Sequence, residues 1–292
     1  MTPGSKKSKI KLKQTLKVIP SGSVPRGIMI FTDILFEKRG NVALITLNRP
    51  ELLNAFRKTT MRDFLNALQQ AAGDEEVRVV VVTGSGRGFS AGADLTEMEQ
   101  IVSSEISLAG ARTHLKNYQN VTRQMLAMPK PIIAALNGLA VGVGAEIALA
   151  SDIRLASESA YFSFAEVKRS LFETNGVMYI LPRLVGMGRA AAMMLTGDKV
   201  FASDALQMGL VTQIFPAAEL LPAAFEMAQR IADNAPISVR LIKQVLQRTY
   251  DSSLEAVMLL EEDGMMECLA SEDLREGVRA FNEKRAPHYQ GK

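Results

Sequence analysis

Apolar residues along this chain follow two alternating rhythms. Val42-Ala43-Leu44-Ile45-Thr46-Leu47 reads as a strand that the turn signal Asn48-Arg49-Pro50 ends. Residues 59–72 then carry Met61, Phe64, Leu65, Leu68 and Ala71 at helical spacing. Residues 77–82 form a continuous β-branched run, the signature of a strand buried on both faces, and Gly84-Ser85-Gly86 closes it. A long helix is predicted over 107–128, stopping at Pro129-Lys130-Pro131. Another buried strand covers 132–136, followed by a glycine turn, a helix over 145–151 and short strands at 153–156 and 161–164. Repeated strand–strand–helix units of this kind predict an α/β core with mostly parallel pairing. From Gly188 the pattern is mainly helical, interrupted by one strand at 210–215, with helices near 221–234, 238–249, 254–268 and 274–285. Val257, Met258, Leu260, Met265 and Met266 make this last layer apolar enough to expect burial against another subunit.

Composition narrows the function classes. The 292 residues are 47% hydrophobic and 22% charged, as in ordinary soluble globular proteins. Lone Cys268 rules out an internal disulfide and a multi-cysteine metal site, and His114 and His288 are too few for a histidine-rich one. The net charge of +3 is unevenly placed: residues 1–32 hold six lysines and Arg26 with no acid, leaving 27 basic against 31 acidic residues elsewhere. Nucleic-acid binding needs a basic face on the folded part, so that class is not expected. Residues 1–28 read as a disordered basic tail, with an organellar targeting segment as the sharper alternative and Met29 as a second candidate start. No apolar run reaches the roughly 18 residues of a membrane span.

Two glutamates carry the candidate chemistry. Glu146 ends the stretch Gly142-Val143-Gly144-Ala145-Glu146, with Ala145, Ile147, Ala148, Leu149 and Ala150 around it, so every helical face nearby is apolar. A free carboxylate is costly there unless the first helical turn and its dipole hold it. Glu166 ends a short aromatic strand, Tyr161-Phe162-Ser163-Phe164, and precedes Lys168-Arg169, so a surface ion pair is its plainer reading. Gly88-Phe89-Ser90-Ala91-Gly92-Ala93-Asp94 has the same strand-then-small-residue character. Two carboxylates beside turns that offer backbone N–H groups are the parts of an acid/base site with an oxyanion hole. A dinucleotide fingerprint is a poor fit, because Ile147 stands where its third glycine belongs and Glu146 would repel a pyrophosphate. Neither histidine has a nucleophile elbow near it.

Together, Asn48-Arg49-Pro50, Leu53-Asn54-Ala55, Gly88 to Leu95, Asn137-Gly138 and Gly142 to Glu146 resemble the crotonase (enoyl-CoA hydratase/isomerase) superfamily, as does the ending Glu276 to Arg285. The resemblance implies a crotonase-like superhelix of strand–strand–helix units over 29–200, holding an acyl-CoA site. It also implies a C-terminal helical trimerisation region over 201–292, with homotrimers that pair into hexamers. It places Glu146 and Glu166 on the catalytic positions and the backbone N–H groups of Ala91 and Val143 in the oxyanion hole. The substrate-binding positions it implies are Asn54, Ala55, Phe56, Ser90, Gly92, Ala93, Asp94, Leu95, Gly142, Phe281 and Lys284. The expected reaction is hydration of a 2-enoyl-CoA thioester, with a double-bond isomerase as the runner-up and a non-catalytic acyl-CoA-binding protein as a third class. No metal or redox cofactor is expected; coenzyme A arrives on the substrate, in the cytoplasm. Two departures stand out. Glu173 is a possible third acid near the pocket, with a surface position as its plainer reading. Glu51 replaces a residue that is often basic, leaving Arg57, Lys58 or Lys284 to meet the coenzyme A phosphates.

Overall fold

The computed structural model describes residues 31–103 and 107–292. The tail expected at 1–28 lies outside the described residues. The antiparallel strands β1 (Ile34–Arg39) and β2 (Val42–Leu47) lead into helix α1 (Lys58–Gly73). Three variations of one unit follow: β3 (Val79–Gly84), β4 (Gly88–Ser90), α2 (Leu95–Ser103) and α3 (Leu108–Ala127); β5 (Ile132–Leu136), β6 (Leu139–Val141) and α4 (Val143–Ala150); and β7 (Ile153–Ser157) and β8 (Tyr161–Ser163), with a 3-10 turn (Ala165–Arg169), α5 (Val177–Val185) and α6 (Met187–Thr196). The chain ends with β9 (Val200–Phe201), α7 (Ala202–Gln207), β10 (Gln213–Phe215), α8 (Ala217–Ala232), α9 (Pro236–Arg248), α10 (Leu254–Ala270) and α11 (Glu272–Glu283).

Each unit sends its first strand to one sheet and its second to another. The large sheet has the order β1-β2-β3-β5-β7-β10 and the small one β4-β6-β8-β9. Every pair is parallel except β1–β2 and β8–β9. Period-2 alternation divides the large sheet's side chains between two cores. Ala43, Ile45, Leu47, Val80, Val82, Ala134 and Leu136 join the larger core, which also takes Phe56, Phe64, Phe89 and Phe162. Val42, Leu44, Val79, Val81, Ile133 and Ala135 face the other way, against Leu220, Ala224, Ala228 and Ala232 of α8. Small residues at this four-residue spacing let α8 lie close to the strands.

Several boundaries differ from the sequence pattern for identifiable reasons. The run at 77–82 pairs as a strand only from Val79, because Val77 N–H closes a turn on the Asp74 carbonyl (3.0 Å). The strand expected from 210 begins at Gln213, since Leu210 and Val211 N–H groups bond the Ala205 carbonyl at the end of α7 (2.8 and 3.2 Å). Helix α5 carries Pro182 in its interior, which reads as a break in the sequence. Two-residue β9 is too short to have a rhythm.

The C-terminal helices are tied to the core by a buried lysine. Lys243 of α9 is 5% exposed and donates to the Met125 carbonyl (3.3 Å), the Lys130 carbonyl (3.0 Å) and Asp152 Oδ2 (2.8 Å). Asp152 Oδ2 also accepts the Ile132 N–H at 2.7 Å, at the head of β5.

Candidate active site

Because β4, β6 and β8 are parallel neighbours, the turns that leave their C-terminal ends lie side by side. They meet main chain to main chain. A Cβ on Gly144 would sit 2.6 Å from the Ser90 carbonyl oxygen and 2.7 Å from Ser90 Cβ. At Gly92, whose φ is +93°, a Cβ would sit 2.8 Å from the Val141 carbonyl oxygen and 3.6 Å from the Val143 nitrogen. Glycine is therefore required at both positions by close approach. Gly142 precedes α4 with φ 49° and ψ −123°, a conformation that side chains strongly disfavour.

The backbone donors sort themselves by what they already bond. Ala91 N–H donates to the Leu53 carbonyl at 2.9 Å, so the expectation that it is an open oxyanion donor does not hold. Gly92 N–H reaches Ser90 Oγ (3.2 Å) and Asp94 N–H the Phe56 carbonyl (2.8 Å). Between them, Ala93 N–H has no acceptor among the described residues. Val143 begins α4, where N–H groups lack an intrahelical partner and the helix end is electropositive. Ala93 and Val143 thus each present an open N–H, one in each turn, with no acceptor among the described residues. The Ala91 assignment failed because strand-end hydrogen bonding decides which N–H is free, and spacing alone does not reveal it.

Glu146 lies in the first turn of α4 and is 1% exposed. Its Oε1 accepts the Thr174 N–H (3.0 Å), and its Oε2 accepts Asn175 Nδ2 (2.6 Å). Burial, and then the charge of Glu166, nevertheless push its carboxyl up to about 7. Asn175 takes φ 51° before Gly176, and its carbonyl oxygen accepts from Thr122 Oγ1 at 2.9 Å. The Asn175-Gly176 pair was a legible turn signal, but its role as a donor to Glu146 was not foreseen.

Glu166 approaches from the 3-10 turn after β8, and among the described residues it makes none of the ion pairs of its plainer reading. Its Oε1 lies 2.3 Å from where a Gly142 Cβ would be, and its Oε2 is buried without a conventional donor. Glu173 is also buried, at 7% exposure, with both carboxyl oxygens sealed from solvent. This overturns the surface reading of that residue. Desolvation first, then the charge and carboxyl contact of Glu166 and the charge of Glu146, raise it to about 9. Three carboxyl groups thus converge, the possible third acid among them. Tyr118 of α3 is buried on the same side, its hydroxyl made harder to ionise by burial and then by Glu97, Asp94 and Glu146.

The side chains of several residues expected to touch substrate are engaged in the scaffold. The Asn54 side chain accepts the Arg49 N–H (2.8 Å) and donates to the Ser85 and Gly88 carbonyls (2.9 and 2.8 Å), which uses its bonding capacity on backbone. Phe56 is wholly buried against Phe64, and the Ala55 carbonyl accepts from Arg49 Nη1 at 2.6 Å. Ser90 Oγ donates to the Asn54 carbonyl (2.9 Å), and Asp94 pairs with buried Arg49 (2.9 Å). Arg57, a candidate for phosphate, is held by Asp33 at 2.7 Å, while Lys58 stays exposed. Leu95, Phe281 and Lys284 are exposed; the latter two are at the end of α11, and no hydrogen bond or ion pair among the described residues joins them to the carboxylates.

Comparison with known proteins identifies the family. The family described as Enoyl-CoA hydratase/isomerase matches residues 37–292. A short-chain-enoyl-CoA hydratase of Clostridium acetobutylicum is 37% identical over 258 residues, covering 88% of this chain and 97% of the relative. A 1,2-epoxyphenylacetyl-CoA isomerase of Escherichia coli is 34% identical over 259 residues, covering 89% and 98%. The crystal structure of an enoyl-CoA hydratase from Bacillus anthracis superposes with a TM-score of 0.84 at 33% identity, covering 89% of this chain and all of that one.

Proposed function

The chain belongs to the enoyl-CoA hydratase/isomerase family, and from that footing we propose that it adds water across the double bond of a 2-enoyl-CoA thioester. The observation that carries this reading is the placement of Glu146 and Glu166 beside the open N–H groups of Ala93 and Val143. A thioester oxygen received by those two donors becomes more negative as water attacks C3, and fixed donors aimed at growing charge are typically worth about 3–4 kcal/mol each. Water must lose a proton at C3 while C2 gains one. One carboxyl takes the first proton and the other delivers the second. Glu146, near half-protonated at neutral pH, is suited to either half of that exchange. Gly142, having no side chain, lets Glu166 Oε1 lie directly against the start of α4.

The chemistry needs no redox partner, and coenzyme A is part of the substrate. Met258, Leu259, Met265, Met266 and Phe281 leave an apolar surface on α10 and α11, supporting a trimer or hexamer. None of the described helices is long and apolar enough to cross a membrane. Incubation with crotonyl-CoA tests the reading: loss of the conjugated thioester absorbance with a gain of about one water in mass supports it. A second reading, double-bond isomerisation, is favoured by one feature, the third buried acid. It requires that a 3-enoyl-CoA gain conjugated absorbance with no change in mass.

A further inference from the structure

Glu173 is the buried group that the hydration chemistry leaves without a task. It is almost inaccessible, both oxygens are sealed, and no N–H or O–H of the described residues donates to either. A carboxylate in that setting would be an unsolvated and unpaired charge, the costliest state of a buried group. It also faces two other acids: Glu166 from the 3-10 turn, which it contacts directly, and Glu146 from α4. No cation contributes to its surroundings. A carboxylic acid, by contrast, has one O–H to donate, and Glu166 Oε2 is a buried acceptor with no other donor.

We propose that Glu173 is a positioning residue that remains a neutral acid and donates its O–H to Glu166, holding that carboxylate with Oε1 turned over Gly142. This rests on the hydratase reading above, because the water that Glu166 meets there is the reactant of that reaction. The geometry explains why Glu166 keeps its orientation although no N–H or basic side chain among the described residues anchors it. A hydrogen bond between an acid and a carboxylate is short and directional, and it needs no cation inside the site. It also sets a limit on the working range. Once Glu173 ionises, the donor disappears and a second negative charge faces Glu166.

The test is the pH profile of kcat for crotonyl-CoA hydration by the full-length enzyme, its Glu173→Ala variant and its Glu173→Gln variant. Glutamine retains a donor but cannot ionise. The wild type is expected to lose activity above about pH 9. Glu173→Ala is expected to lower kcat about 10–100-fold with little change in KM. Glu173→Gln is expected to recover most of that loss and to abolish the alkaline limb. An unchanged alkaline limb in Glu173→Gln, or wild-type kcat in Glu173→Ala, overturns the proposal. If crotonyl-CoA is not hydrated at all, the functional reading fails separately. Carbon-13 NMR of glutamate-labelled protein then decides: one carboxyl titrating in the alkaline range, missing in Glu173→Gln and shifted toward neutral pH in Glu166→Gln, sustains the contact. Its absence from the wild type refutes it.

Discussion

Replacing Gly142 by alanine separates catalysis from folding in a way the geometry makes quantitative. The new Cβ would sit 2.3 Å from Glu166 Oε1 and 3.3 Å from Glu166 Cδ, with no backbone atom among its nearest neighbours. Restoring an ordinary contact of roughly 3.5 Å displaces Oε1 by about 1 Å. The displaced atom ends a flexible side chain, so the fold accommodates the change. The chemistry does not, because a misplacement of about 1 Å can lower a rate about 10²-fold, equivalent to about 2.7 kcal/mol. The positive φ adds a stability penalty on the order of 1–3 kcal/mol. Gly40→Ala calibrates that penalty, since Gly40 also has a positive φ but nothing within 4 Å of its Cβ position. Steady-state hydration of crotonyl-CoA, with thermal unfolding alongside, should show kcat for Gly142→Ala down about 100-fold, KM little changed and a native melting transition. A kcat within threefold of wild type would show that Glu166 Oε1 does not need its place over Gly142, and the reasoning would fail. Gly144→Ala is the contrasting case: its Cβ strikes the Ser90 backbone, so it should impair folding first.

The remaining predictions address the carboxylates and their supports. Glu146→Gln and Glu166→Gln should each lower kcat about 10²–10⁴-fold without loss of fold, checked by circular dichroism beside the kinetics. Because Glu146 is raised from 4.5 to about 7, the folded state binds its proton more tightly than the unfolded state, and its contribution is lost as pH rises through that window. Chemical denaturation from pH 4.5 to 8 should show Glu146→Gln losing about 3 kcal/mol less than wild type. Asn175→Ala removes a donor to the Glu146 anion and should move the near-neutral limb of the kcat profile to higher pH; an unmoved limb contradicts the role given to Asn175. Asn54→Ala should destabilise the chain by about 2–4 kcal/mol in urea, because it strands buried backbone groups that the amide satisfies.

What could be read from the sequence was whatever periodicity or an incongruous neighbour reveals. Val77 to Val82 and Ile132 to Leu136 announced themselves as buried strands, and Glu146 stood out because a charge among alanines requires an explanation. Glu173 was legible only as a possible third acid and its burial was not, since it follows Leu171-Phe172 in a loop, where burial has no rhythm to betray it. Exposed Phe172 beside buried Glu173 reverses what hydropathy suggests for each. The confusion of Ala91 with Ala93 has the same root, because two small residues on either side of Gly92 differ only in what their amides bond. That the Asn54 and Phe56 side chains serve the scaffold was not legible, because a turn stretch that shapes a site and one that touches its contents look alike as strings.

Lys243 bears on how this chain can be taken apart. Its ammonium is shared between the last turn of α3, the loop before β5 and the acid that caps that strand, so α9 acts as a rivet through the floor of the central sheet. Trimming the protein to its strand-bearing portion would leave Asp152 as a stranded charge and two carbonyl oxygens facing a hollow. The helical third of the molecule is therefore not detachable trim, and a minimal version of this fold must carry its lysine with it.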